Sequence, residues 1–173
     1  MKKQQHIILN IYTVCSTPLY DVLDDISAEE LNWKPGPDSR SISEMMRHLI
    51  RVDNWFLGRL EIDPESSDPG EVSADTLLAA LKAVHRQIVN IITAADSTAA
   101  LTRKSALPDA GDHETLIEIV IHMSQHYLYH LAQMIYLRRA QDREWQSPMK
   151  KWETATHLLA GQLAVVQQAF QED

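Results

Sequence analysis

The segment Ile121-His122-Met123-Ser124-Gln125-His126-Tyr127-Leu128-Tyr129-His130 carries three histidines at successive intervals of four residues. Residues four apart on a helix share a face, with Cβ atoms about 5–6 Å from one another. Two imidazoles at that spacing can ligate one divalent ion, each at about 2.0–2.1 Å. H-E-x-x-H motifs use the same geometry, but no glutamate follows His122 or His126 here, so this is not that motif. All three cannot serve one ion, because His122 and His130 lie about 12 Å apart along a helix axis. The helix offers either the 122/126 pair or the 126/130 pair, and a third ligand has to come from another element.

The helical wheel chooses between the pairs. Leu116, Val120, Met123, Tyr127 and Met134 cluster on one side. His130 lies roughly 50° from the centre of that stripe, His126 roughly 90° and His122 roughly 130°. The inward pair is therefore His126 and His130, and His122 leans toward the polar side with Glu118, Gln125 and Tyr129. His48 occupies a similar shoulder on an earlier amphipathic segment, beside Val52 and Trp55. A shoulder histidine on each of two packed helices can converge in the groove between them, a common place for sites in bundles. A single shoulder histidine is more often structural, and His6, His85, His113 and His157, single and unsupported, read as structural or exposed.

The elements that must position these residues are helices. Ile8, Ile11, Tyr12, Cys15, Leu19, Val22 and Leu23 predict helix 1 over about 5–25, with Pro18 as a kink. Ser27-Ala28-Glu29-Glu30 has the form of a capping box and predicts a short turn. Ser41-Ile42-Ser43-Glu44 is a second box and opens helix 2, whose stripe is Ile42, Met45, Leu49, Val52, Phe56 and Leu60. Helix 3 is expected over about 73–95, followed by a looser connection over 96–112 with Pro108 and Gly111. Helix 4 is expected over about 113–140 and a last helix over about 150–170. The expected fold is all-α: one domain over 1–173, a four-helix bundle of long antiparallel helices with an extra C-terminal helix.

Asn32-Trp33-Lys34-Pro35-Gly36-Pro37-Asp38-Ser39-Arg40-Ser41-Ile42-Ser43-Glu44, running on to His48, resembles the W-x-P stretch, S-I-x-E and helix-2 histidine of the DinB/YfiT-like family. Gln125-His126-Tyr127-Leu128-Tyr129-His130-Leu131-Ala132-Gln133 resembles that family's H-x-x-x-H ending in Gln. The resemblance covers about residues 5–140 and leaves out the last helix. It implies that His48, His126 and His130 are metal ligands, in agreement with the wheel. It also implies a homodimer, and a relationship to transferases and isomerases that use low-molecular-weight thiols. Relatives carry H-x-G-Q at the end of the motif, whereas this chain has His130-Leu131-Ala132-Gln133, a change expected to alter helix packing and not ligation.

Composition bounds the rest. The chain has 173 residues and a net charge of −8, which speaks against nucleic acid as a partner. Cys15 is the lone cysteine, so no internal disulfide forms, as in a reducing compartment. No stretch approaches the roughly 20 apolar residues of a membrane span, and the expectation is a cytoplasmic protein.

Three neutral imidazoles leave an ion an open position, the mark of a catalytic site. Nitrogen donors suit zinc or nickel best, with iron or manganese also compatible. The open position could hold a substrate thiol as thiolate. Alternatives are a hydrolase using metal-bound hydroxide and a non-enzymatic metal-binding or interaction module. No general base stands out. Glu44 and Glu118 read as outward. Asp53, roughly 80° from the helix-2 stripe on the flank opposite His48, reads as a solvated charge or an intrahelical pair. Gln133 is expected to bond a ligand from behind, His122 to lie at the surface or behind the ligands, and Trp55 and Tyr127 to wall the pocket.

Overall fold

A computed structural model describes residues 3–104 and 115–169. The helices are α1 (Lys3–Ser16), α2 (Pro18–Val22), α3 (Ala28–Asn32), α4 (Ile42–Arg59), α5 (Ala74–Ala94), α6 (Thr98–Leu101), α7 (Leu116–Gln141) and α8 (Met149–Ala169). Among the described residues there is no strand, only an isolated bridge between Lys104 and Thr115. The chain is all-α. Pro108, Gly111 and His113, with the expected start of helix 4 at 113 and the end of the last helix at 170, lie outside the described residues.

The expected first helix is two. Pro18 lacks the N–H that would continue the ladder, and it becomes the first residue of α2. The break does not separate the two pieces from the core. Ile8, Ile11, Tyr12, Cys15, Leu19 and Val22 are all fully buried. Arg138, itself buried, donates from Nη1 to the carbonyls of Val22 and Asp24 at 2.8 and 3.1 Å. It thereby satisfies carbonyls that the end of α2 leaves open. The segment expected as a looser connection contributes the short α6.

Each helix start near the site is capped by side chains. The Ser41 hydroxyl accepts from the Glu44 N–H, and the Glu44 carboxylate accepts from the Ser41 N–H at 2.9 Å. Lys34 holds the same carboxylate at 2.6 Å. These bonds hold the Glu44 carboxyl below its ordinary range, the Lys34 bond contributing most. Thr115 and Glu118 form the same reciprocal box at the start of α7. Glu118, expected only as an outward charge, closes that cap. Past the end of α4, Asp68 is gripped by Arg47 Nε at 2.9 Å and by Arg51 at 2.5 Å, which fastens the 61–73 connection to the outer face of α4.

α1 packs on α5, α7 and α8, and α4 packs on α5 and α7. The core forms where they meet, with Tyr12, Met46, Leu49, Ile50, Phe56, Leu81, Val84, Leu131 and Met134 among its buried residues. Among the described residues, no helix is long and apolar enough to cross a membrane.

Because α4 carries His48 two turns inside its cap, the cap sets where that helix starts. Ser41→Ala should lower stability by about 1 kcal/mol, a drop of roughly 2–4 °C in Tm for a chain of this size. Thermal melts followed by circular dichroism check it.

Candidate metal centre

α7 brings His126 and His130 to one face, and α4 presents His48 across the groove. The Nε2 atoms of His48 and His126 are 3.2 Å apart, and those of His126 and His130 are 3.0 Å apart. One ligand atom from each of the three lies within 4.8 Å of the other two. Three nitrogens at about 2.05 Å from a tetrahedral ion would stand about 3.3 Å apart. His130 is buried, while His48 and His126 are half-buried. His122 is exposed and rests against the Phe56 ring at 5.1 Å, away from the trio.

The proton arrangement favours a cation at the centre. His130 Nδ1 and Gln133 Oε1 are 2.8 Å apart. The amide oxygen can only accept, so Nδ1 carries the proton and Nε2 is left with a lone pair. If His126 Nε2 carried a proton, that proton could serve only one neighbouring nitrogen. The other neighbouring nitrogen would face a protonated Nε2 with no in-plane lone pair to accept from it. Burial, followed by the charges of neighbouring histidines and Arg40, pushes the pKa of both His48 and His126 down to about 4. Burial also lowers that of His130. The trio is thus neutral near pH 7 with its lone pairs converging, the state a metal requires. Gln133 buttresses His130 in the way outer partners commonly hold ligating imidazoles. His126 Nδ1 is buried and meets no acceptor among the described residues.

The histidines lie at one side of a cleft of about 870 Å³ between the 35–40 loop, α4 and α7. Its other walls include Pro35, Arg40, Met45, Tyr129, Tyr136 and Leu137. Trp55, expected as a wall, is 54% exposed and stacks under the Arg59 guanidinium outside the cleft. Its position on the wheel beside His48 did not reveal that the cleft opens toward the N-terminal half of α4. Tyr129, assigned to the polar side, is exposed there and also lines the cleft.

Tyr127 points away from the cleft into the core, where it meets the principal feature that the sequence reading missed. Its hydroxyl donates to Asp53 Oδ2 at 2.9 Å, and the Tyr12 hydroxyl lies 3.0 Å from it. On the other side of Asp53, His85 Nε2 is 3.6 Å away, and His85 Nδ1 is 2.7 Å from the Tyr20 hydroxyl. Asp53 is 0% exposed and His85 3%. Asp53 is not the solvated charge or intrahelical pair that the sequence suggested, whereas His85, read as structural or exposed, is a structural core residue. Met46, Ile50 and Leu57 are also buried, which turns the centre of the buried face of α4 toward Asp53. The helix packs on two neighbours, so its apolar face is wider than the stripe counted from one. An aspartate within a run where apolar residues recur on both flanks was the available signal. Burial pushes the Asp53 carboxyl upward, and the His85 contact and the Tyr127 hydroxyl oppose that shift.

The sequence profile of the DinB superfamily matches residues 17–134. That span covers well over half of the chain and includes all three converging histidines, the Ser41 cap and Asp53. This chain belongs to the DinB superfamily. Among curated proteins, none matches it. Membership and the His48, His126 and His130 cluster agree on a site able to hold a metal ion.

Two outcomes follow. An imidazole whose folded pKa lies below its unfolded value of 6.5 takes up its proton more readily in the unfolded chain. Unfolding is then favoured as pH falls. Metal-free protein should therefore lose stability between pH 6.5 and about 4. Thermal melts across that window in the presence of chelator should show it, with the slope reduced in His126→Ala. Separately, Tyr127→Phe should cost about 1–3 kcal/mol in a denaturant titration, because Asp53 loses its buried donor.

Proposed function

We propose that this DinB superfamily member is a metal-dependent enzyme that activates a low-molecular-weight thiol for transfer to an electrophile, with His48, His126 and His130 holding one divalent ion. The observation that carries this reading is the convergence of three neutral Nε2 atoms at the wall of an open cleft. Zinc or nickel suits the all-nitrogen donor set best. When bound, such an ion supplies Lewis acidity that lowers a thiol's pKa toward neutrality. α1, α4, α5 and α7 are read as the four antiparallel helices of a bundle, with α8 added against α1.

The chain's own residues do the rest. Gln133 fixes the His130 tautomer, and the cap at Ser41 and the buried contacts of Asp53 and Tyr127 fix α4 against α7. Pro35, Met45 and Leu137 offer apolar surface to the body of a substrate. In the transfer, the thiol proton passes to solvent and a sulfur–carbon bond forms. The electrophile's leaving group departs with its electron pair. No carboxylate is among the described residues lining the cleft, and Asp53 is sealed behind the histidines. That favours the thiol reading over hydrolysis, which ordinarily draws on a positioned base to activate water.

Elemental analysis of the purified protein, alongside thiol-consumption assays with a chlorodinitrobenzene electrophile, tests the reading. The expected result is about one ion per chain, lost in His48→Ala and kept in His122→Ala, with thiol-dependent turnover abolished by chelator. No rate above the metal-free protein for any thiol would overturn the enzymatic reading. Ester or amide turnover without thiol would replace it with hydrolysis.

A further inference from the structure

The chain carries a net charge of −8, yet none of the described residues lining the histidine cleft is acidic. One of them, Arg40, is cationic. It is exposed and stands immediately before the cap residue Ser41. It lines the same cleft as His48, His126 and His130. The neighbouring cations are engaged elsewhere: Lys34 with Glu44, and Arg47 and Arg51 with Asp68. Among the described residues, no carboxylate pairs with Arg40. An exposed guanidinium lining a cleft, with no hydrogen-bond or ion-pair partner among the described residues, matches a planar oxyanion in two-point contact. On the α7 side, Tyr129 and Tyr136 are 61% and 71% exposed. They line the same cleft, Tyr129 with its ring against His130.

We propose that this cleft selects an anionic ligand, a thiol bearing a carboxylate, with Arg40 as the residue that binds the carboxylate while the sulfur faces the three histidines. The inference rests on the thiol reading for the sulfur end and on Arg40 alone for the anionic end. Two positive groups, an ion in the histidine trio and Arg40, face one cleft free of negative side chains. That field favours a dianion of carboxylate and thiolate over a neutral thiol of the same size.

The test uses the full chain loaded with cobalt(II), whose thiolate charge-transfer absorption reports sulfur binding directly. Titrations compare 3-mercaptopropionate, 2-mercaptoethanesulfonate and 2-mercaptoethanol in wild type, Arg40→Gln and Arg40→Lys, after equal cobalt content is verified. The carboxylate thiol should bind about tenfold more tightly than 2-mercaptoethanol. Arg40→Gln should remove most of that advantage, and Arg40→Lys should retain part of it. Equal binding of the sulfonate would change the selected group from carboxylate to any oxyanion and overturn the carboxylate assignment. A preference for the carboxylate thiol that survives Arg40→Gln, or no preference at all, overturns the role of Arg40 and leaves thiol binding standing.

A parallel arm uses propionate, which has no sulfur, and follows Tm. Stabilisation of wild type but not of Arg40→Gln, with no thiolate band for any thiol, would uphold the anion site and overturn the thiol reading. Failure of both arms overturns both.

Discussion

The arrangement of this chain turns on a buried carboxylate. Asp53 of α4 has no exposure to water, and its surroundings are assembled from α7 through Tyr127, α5 through His85 and α1 through Tyr12. An aspartate stripped of water and left without partners costs several kcal/mol. Sliding α4 along α7 would separate it from the Tyr127 hydroxyl and expose the packing to that cost. The register of the two helices is therefore tightly specified. His48 stands five residues before Asp53, and His126 directly precedes Tyr127. The bond that fixes the register in the core thus also fixes the distance across the groove at the surface, where the histidines meet. Structure and chemistry are arranged back to back on the same two helices.

The two polar clusters differ in what they leave open. The core cluster spends its hydroxyls inward, Tyr127 on Asp53 and Tyr20 against His85, and leaves only Asp53 Oδ1 and His85 Nε2 without a hydrogen bond. The surface trio keeps its Nε2 lone pairs directed at a common point, with Gln133 drawing the spare proton of His130 to the far side. The first arrangement orders helices. The second leaves an unmet demand for positive charge, which is what makes it a candidate metal centre and the core cluster a scaffold.

Much of this was legible in the chain itself, for reasons that differ by element. The Ser41 and Ser27 boxes were readable because a cap is local, made of residues three apart. The break at Pro18 follows from one missing N–H, although the spacing of apolar residues ran straight through it. The i, i+4 relation of His126 and His130 is a property of any helix. Asp53 and His85 were not legible, because their roles come from partners 74 and 65 residues away in Tyr127 and Tyr20. Nothing local distinguishes a buried aspartate from a solvated one. Trp55 was misplaced for a related reason. The wheel tells which way a residue faces but not whether a loop comes up to roof that face, and the 35–40 loop roofs the other end of α4. For the same reason Arg40 carried no signal beyond its place in a motif.

The division of the ligands between helices has a consequence for folding. His126 and His130 are neighbours on α7 whenever that helix forms, whether or not the rest of the chain has assembled. His48 joins them only when α4 has docked. An ion at this site would therefore find two of its ligands in any state with α7 formed, and only the third contact would be peculiar to the native one. A bound ion would favour the native state over one with α7 alone formed only by its preference between them, and that preference rests on His48. Such an ion would favour the helical form of α7 through its two histidines there and the docked position of α4 through the third.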